Sequence, residues 1–335
     1  MRCILREETD PYFNIAAEEY ILKNSTEDVF MIWRNDPSVI IGKHQNAFAE
    51  INHEFIKKKK IAVIRRISGG GAVYHDKGNL NFSFISHGET EKLIDFHKFT
   101  LPVMQALQKL NLQVAVGNRN SLYINGYKIS GNAEHVFRNK VLHHGTLLYS
   151  TELNALDRAI HPPVLTFVDK AVKSVRSKVA NISEFLDNNM TIQEFMEYLL
   201  SAMTKAFPGS YIQPLTKREI QEIAIIRNEK YATWAWNYGY SPKFSFSTSF
   251  LYNKILFPVI IDVSDGHIQN ISIIEAEDSE AEELFDLVTC LKGLPLKEDV
   301  IKESLKARFS SFDIKHIVSA LFIGGTAEHL QNMNV

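Results

Sequence analysis

Residues 65–79 read Arg-Arg-Ile-Ser-Gly-Gly-Gly-Ala-Val-Tyr-His-Asp-Lys-Gly-Asn. The apolar run Ile61-Ala62-Val63-Ile64 enters this block as a buried-type strand, and the strand-like Leu80-Asn81-Phe82-Ser83-Phe84-Ile85 leaves it. Three glycines after a strand permit positive φ and expose successive backbone N–H groups. Such a concavity binds anions, and Arg65 and Arg66 beside it are suited to phosphate or carboxylate oxygens. The plainer alternative is a glycine-rich bend with surface arginines; the neighbouring His75-Asp76 pair favours the anion cradle. No Gly-Lys-Ser/Thr follows, and no GxGxxG opens a helix, so neither a P-loop nor a dinucleotide fingerprint is present.

Outward from the block, Asp10-Pro11 reads as N-cap and first turn of a helix to about Lys23, with Ile15, Ala16, Tyr20 and Ile21 on its apolar face. Val29–Trp33 and Ser38–Ile41 are strand-like and split by the turn signal Asn35-Asp36-Pro37. Residues 47–60 read as a helix ending in four lysines, a solvated end more simply than a docking site. A helix is expected over 95–112, interrupted early by Pro102. Asn125-Gly126 between strand formers predicts a two-residue type I′ hairpin turn. Thr191-Ile-Gln-Glu194 is a capping box opening a helix to about Phe207.

Past Trp234–Ser249 the pattern resets. Leu256–Val263, Asp265-Gly266 and Ile268–Ile274 read as a second hairpin, followed by two or three helices ending near Gly324-Gly325. The acidic run 275–283 reads as a solvated loop and helix N-terminus. These features predict an α+β chain with a large mixed-sheet domain over 1–245 and a small α+β domain over 250–335.

Composition bounds the function. With 335 residues, 45% hydrophobic and 23% charged, the chain is of ordinary globular type. A net charge of −2 argues against a globally basic nucleic-acid binder. Two cysteines, Cys3 and Cys290, make no disulfide framework and no cysteine-based zinc cluster. No apolar run reaches membrane-span length. Acidic residues stand where a signal peptide needs its apolar core, so a cytoplasmic location is expected, with no nucleic-acid or membrane partner.

Two further motifs bear on chemistry. Lys128 lies two residues past the Asn125-Gly126 turn and is followed by Ser130-Gly131, which holds a cation on a stiff strand where developing negative charge needs it. On propensity alone a solvated hairpin lysine is the better reading. His143 and His144 are adjacent in a strand and point to opposite faces, so they do not serve one metal; one of them reads as a satisfied core histidine. Trp33 and Phe82 read as core.

Together these residues resemble the lipoate–protein ligase A family. The likeness rests on Asp10–Leu22, the 65–84 block, Gly126–Ala133 and Val141–Ser150, extended by Ser174–Ile182 and Lys230–Gly239, and so spans most of the first 245 residues. It implies a biotin/lipoate ligase-type fold and a two-step, AMP-forming reaction. Lipoate and ATP give lipoyl-AMP and pyrophosphate, and the lipoyl group then passes to a lysine of a carrier domain. The carriers it implies are E2 subunits of 2-oxoacid dehydrogenases and the glycine-cleavage H protein; the cofactors are ATP and Mg²⁺.

By position in the motifs, the resemblance implies that Lys128 is catalytic and contacts both ATP and lipoate. Arg66, Gly71, Ala72, Val73 and Tyr74 match the ATP-holding segment. Ser68, Gly70, His75 and His144 match positions around the lipoyl group and adenylate, and Ile15 and Trp33 the acyl wall. Burying an eight-carbon chain there contributes about 0.8 kcal/mol per CH₂. The family's Asn-Asp before the lysine strand is here Asn120-Ser121, so no metal ligand is named; Arg138 or His135 stands in for a basic loop contact. The alternatives are an octanoyl or lipoyl transferase, an amidotransferase, a non-catalytic lipoate-binding protein and a biotin ligase. A transferase needs a cysteine nucleophile, and none occurs between residues 4 and 289. No helix-turn-helix module precedes the blocks, against a DNA-binding biotin ligase.

Overall fold

The computed structural model describes residues 1–88, 94–117, 121–160, 165–252, 255–274 and 278–324, with side chains omitted over 278–283. Two compact units emerge. The first comprises Met1–Lys43, Ile61–Asp157 and Ser174–Thr233; the second comprises His44–Lys60, Arg158–Lys173 and the chain from Trp234 onward.

In chain order the elements begin β1 (Arg2–Leu5), α1 (Pro11–Asn24), β2 (Val29–Trp33), β3 (Ser38–Ile41), α2 (Ala47–Glu50), α3 (His53–Lys59) and β4 (Ala62–Arg65). Then come β5 (Val73–His75), β6 (Asn79–His87), α4 (Phe96–Gln108), β7 (Val114–Val116), β8 (Leu122–Ile124), β9 (Tyr127–Ser130), β10 (Asn132–Phe137) and β11 (Lys140–Leu148). After α5 (Leu153–Ala159) and β12 (Thr166–Asp169) follow α6 (Ile192–Ala206), β13 (Tyr211–Ile212) and α7 (Lys217–Ile226). The chain closes with β14 (Phe244–Tyr252), β15 (Ile255–Ser264), β16 (His267–Ile273), α8 (Asp278–Leu291), α9 (Glu298–Leu305) and α10 (Ser311–Phe322).

The first unit is built on a six-stranded mixed sheet of order β10-β11-β6-β2-β1-β13. Only the β1 pairings are parallel. Two smaller sheets, β4-β3-β5 and β7-β8-β9, carry the glycine block and the lysine hairpin. Phe82, Phe84, Phe99, Phe195 and Met196 belong to one apolar core with Leu122 and Ile129 of the lysine hairpin sheet. The expected mixed-sheet α+β class is what folds.

Helix α1 starts as its sequence dictates: the Asp10 carboxylate accepts from the N–H of Tyr12 at 2.9 Å, and Pro11 occupies the first turn. Unlike an amphipathic surface helix it is buried nearly all round, Glu18 and Glu19 included. Glu19 is neutralised by Lys23 at 2.6 Å and Lys230 at 2.7 Å, and by the Tyr231 hydroxyl. Burial alone would raise its pKa; these partners bring it down to about 2.

The 47–60 helix is two helices. The Asn46 and Asn52 side chains each cap a new start, accepting from Phe48 N–H at 3.1 Å and Phe55 N–H at 2.9 Å. The 95–112 helix is the shorter α4, with Pro102 inside it. Asn125 and Gly126 take φ of 50° and 82°, as a type I′ turn demands. The Thr191–Glu194 capping box forms. In the second unit, β12-β14-β15-β16 is an antiparallel sheet, and three helices follow it. Asn120 and residues 275–277 of the acidic run lie outside the described residues. No helix among the described residues is long and apolar enough to cross a membrane.

Candidate functional site

Strand β4 ends in Arg65, Arg66 follows it directly, and both side chains are buried. Arg65 Nη1 donates to the carbonyls of Gly42 and Lys43, each at 3.1 Å. Arg66 grips the glycine loop itself. Its Nη2 donates to Gly69 C=O at 2.6 Å and Gly71 C=O at 2.9 Å, its Nη1 to Ile40 C=O at 3.0 Å, and its Nε to Ser68 Oγ at 2.9 Å. The surface-arginine alternative is thus excluded: Arg66 is 5% exposed, and burial presses its pKa down to about 10, which leaves it a cation at neutral pH. Of the three glycines only Gly70 has positive φ, at +92°. The loop is therefore less of a continuous amide nest than its sequence implied. The Ala72 N–H is taken up by Ser174 Oγ at 2.9 Å.

A polar chain runs through the floor of the site. Trp33 Nε1–H donates to Ser83 Oγ at 2.9 Å, and Ser83 donates to Glu18 Oε1 at 2.6 Å. The Glu18 carboxylate also lies 2.9 and 3.0 Å from His144 Nδ1. A carboxylate only accepts, so His144 carries its proton on Nδ1 and its Nε2 accepts from Ser68, 2.6 Å away. Ser68 then accepts from Arg66. One line of fixed donors and acceptors thus joins the tryptophan of the expected acyl wall to the arginine of the glycine loop. Ile15 stands one helical turn before Glu18 on α1, and it and Trp33 are 2% and 1% exposed.

On β5, Val73, Tyr74 and His75 pair with Ile40, Val39 and Ser38 of β3. Tyr74 is buried, which together with Asp76 and Glu152 pushes its hydroxyl up to about 12. His75 Nδ1 accepts from Asn35 Nδ2 at 3.1 Å; the Asn35 amide is oriented because its Oδ1 accepts from Asn14 at 3.0 Å. Burial, then the positive Arg66, then His144 drive the His75 pKa down to about 3. The ring is therefore neutral with its proton on Nε2, a buried donor that has no hydrogen-bond partner among the described residues. That donor is available to a bound anion or acyl group. Asp76 is not part of such a pair: its carboxylate accepts from the N–H groups of Gly78, Asn79 and Glu152 and shapes the turn.

Lys128 sits on β9, opposite Tyr123 of β8. Its half-buried side chain reaches forward past the end of β9, to Gly131. A Cβ built on Gly131 would stand 3.3 Å from Lys128 Nζ and 4.0 Å from Thr146 Oγ1. The ammonium is therefore held over the Ser130-Gly131 corner, not extended into solvent from a loose turn. The hairpin is also tied from outside: Lys128 N–H donates to Lys178 C=O at 2.8 Å.

The two histidines diverge as expected. His144 joins the relay, while His143 is fully buried beside Phe82 and Phe99, with Nδ1 2.8 Å from Glu134. His135 is half-buried and its pKa is lowered by burial and then by Lys43. Arg138 lies over the Phe137 ring at the β10–β11 turn. Ser121 is buried. Among the described residues no group of three His, Cys, Asp or Glu side chains could hold a metal. Cys3 is buried in the core near Thr204, where burial raises its pKa, and it touches none of these groups.

Sequence reasoning missed Glu18, Ser83 and Ser174. Two adjacent carboxylates in the middle of an apolar helix, Ala16-Ala17-Glu18-Glu19-Tyr20, were the available signal, since buried charges need partners.

Residues 10–204 match the family model described as the lipoyl protein ligase A/B catalytic domain. The chain is 38% identical over 312 residues to lipoate–protein ligase 1 of Staphylococcus aureus, covering 92% of this chain and 93% of that one. It is 40% identical over 268 residues to lipoate-protein ligase LplJ of Bacillus subtilis, covering 79% and 81%. Among solved structures, a lipoate-protein ligase A bound with ATP superposes with TM-score 0.62 at 27% identity, covering 71% of this chain and 98% of that one. P. falciparum LipL1 in complex with lipoate gives 0.61 at 25% identity, covering 96% and 98%. The bipartite lipoate protein ligase of Thermoplasma acidophilum, described with its E2 lipoyl domain, gives 0.61 at 25% identity, covering 71% and 96%.

Proposed function

The chain belongs to the lipoate–protein ligase family, and we propose that it joins lipoate to protein lysines in two steps at the site formed by the glycine loop and the Lys128 strand. In the first, a lipoate carboxylate oxygen attacks the α-phosphorus of ATP; the P–O bond to the β-phosphate breaks, giving lipoyl-AMP and pyrophosphate. In the second, the neutral amine of a carrier lysine attacks the acyl carbon and AMP leaves. Both steps depend on positioning and on charge stabilisation.

Each residue has a role in this reading. Lys128 lies between the carboxylate and the α-phosphate, lowers their repulsion and then stabilises the adenylate. Arg66 holds the glycine loop in shape and contributes positive charge behind it, while Gly71, Ala72, Val73 and Tyr74 hold the nucleotide. His75 Nε2–H and the Ser68–His144–Glu18 relay, with Gly70, order the acyl-phosphate region. Ile15 and Trp33 line the apolar wall for the acyl chain. We assign this chemistry to the 1–245 domain and an accessory role to 250–335.

The observation that carries the reading is the Lys128 ammonium held at the Ser130-Gly131 corner, in a chain whose relatives include ligases solved with ATP and with lipoate. The cysteines favour a ligase over a transferase, since Cys3 is sealed in the core and has no access to an acyl group. Among the described residues no three His, Cys, Asp or Glu side chains cluster as a metal site, so Mg²⁺ would have to be held largely by the ATP phosphates and water. The acceptors we propose are lipoyl carrier domains, E2 and H-protein types, in the cytoplasm. The test is incubation with lipoate, ATP and an E2 lipoyl domain. Pyrophosphate release and a single lipoyl mass increment on the domain are expected, and both persist when Cys3 and Cys290 are replaced. Lipoate binding without pyrophosphate release would overturn the enzyme reading.

A further inference from the structure

One short segment touches both halves of the site. Residues 174–180 lie outside any regular helix or strand and are largely exposed. At its start, Ser174 Oγ accepts from the Ala72 N–H at 2.9 Å. Four residues later its main chain clasps Lys128. Lys178 C=O accepts from Lys128 N–H at 2.8 Å, Ala180 N–H donates to Lys128 C=O at 3.3 Å, and Val179 bridges Lys128 in parallel.

The glycine loop joins β4 to β5 in one small sheet, and Lys128 lies in another, β7-β8-β9; the two share no strand. Among the described residues no strand ladder joins those two sheets directly; β11 links them on one side, through His144 to Ser68 at 2.6 Å and the Thr146 N–H to Gly131 C=O at 3.0 Å. The 174–180 segment adds a second link, from the Ala72 N–H to the Lys128 main chain. Gly71 permits the anchor at one end. A Cβ there would lie 3.0 Å from Ser174 Oγ and 3.1 Å from Ser174 Cα, so a larger residue would require Ser174 to shift by a few tenths of an ångström.

We propose that Ser174 is a positioning residue for lipoate activation: its hydroxyl pins the spacer 174–180 to the Gly71–Ala72 corner, so that corner and the Lys128 ammonium are held at one fixed separation. This rests on the ligase reading above. Misplacing reacting groups by about 1 Å can cost on the order of a hundredfold in rate. Loosening the spacer at one end, with its Lys128 end still paired, removes only part of that alignment.

The test uses the full chain and compares wild type, Ser174→Ala and Ser174→Thr in lipoate-dependent ATP–pyrophosphate exchange, with melting curves alongside. Wild-type exchange establishes the ligase reading; its absence overturns both. Given that exchange, Ser174→Ala is expected to lower kcat about tenfold, the equivalent of one net hydrogen bond, with KM for lipoate within about twofold. The threonine variant keeps the hydroxyl and is expected to recover to within about threefold of wild type. An unchanged kcat in Ser174→Ala overturns the proposal. So does a loss that threonine fails to restore, or one that merely tracks a lowered melting temperature.

Discussion

The molecule contains the same hairpin twice, once in each unit. In the first unit Asn125-Gly126 turns β8 into β9; in the second Asp265-Gly266 turns β15 into β16, with φ of 51° and 71°. Two residues past each glycine, a strand residue is bonded through both main-chain groups to a segment from far downstream. For Lys128 the partners are Lys178 and Ala180. For Ile268 they are Leu294, which accepts from its N–H at 2.9 Å, and Gly293, which donates to its C=O at 2.7 Å. The backbones do the same work, and the side chains part company. Ile268 is fully buried in the second unit's core, while Lys128 keeps a half-buried cation beside Gly131. Turn chemistry builds a rigid platform; what stands on it decides between a packed core residue and the half-buried cation to which we assign the activation step.

The comparison breaks most sharply at those two side chains. Lys128→Ala is expected to cut lipoyl-AMP formation by about a hundred- to a thousandfold while the protein still melts cooperatively, because one preorganised charge is lost. Normal pyrophosphate release from that variant would remove the lysine from the mechanism. Ile268→Ala is expected to do the reverse, costing about 3 kcal/mol of second-unit stability through cavity formation. Urea unfolding followed by the Trp234 region would show it.

The turns themselves sharpen the contrast. Gly126→Ala is expected to cost about 1–2 kcal/mol, the penalty for an L-residue at positive φ, since nothing stands within 4 Å of the added Cβ. Gly266→Ala should cost more, about 2–4 kcal/mol, because its Cβ would meet the Trp234 ring at 2.5 Å and Gly239 Cα at 2.7 Å. Equal losses in paired melts would show that the second turn relaxes freely.

The smallest effect separates the units by acid. His75 in the first is held down to about 3, and His53 in the second, stacked on Phe48, to about 4, chiefly by burial in both cases. Unfolded histidine binds a proton below about pH 6.5 and the folded rings do not, so stability is full above that pH and falls as pH drops. The loss ends near 4 for His53 and continues to about 3 for His75; Glu19 adds its own loss between about 4.5 and 2. Between pH 7 and 6 each histidine is expected to remove under about 1 kcal/mol. Urea midpoints that rise on acidification would contradict these placements.

Much of this was legible because it is local. Asp10-Pro11, Thr191–Glu194 and the two turn dipeptides act through neighbours within four residues, and the order of motifs marked the family. What escaped were pairings across the chain. Glu18 meets Ser83 and His144, 65 and 126 residues away, and Ser174 meets Ala72 across 102. The arginines were legible as residues but not as contacts: their donors are largely spent on the carbonyls around the glycine loop.

By itself the sequence determined where helices and turns begin, and that a lysine follows a stiff turn and arginines precede a glycine block, since capping and φ preferences are set by adjacent atoms. Tertiary structure alone decided which carboxylate orients His144, that buried His75 is neutral with an Nε2–H unpartnered among the described residues, and that segment 174–180 joins two sheets. Those outcomes depend on burial and on donors brought together from distant strands, and neither has a period or spacing that can be read along the chain.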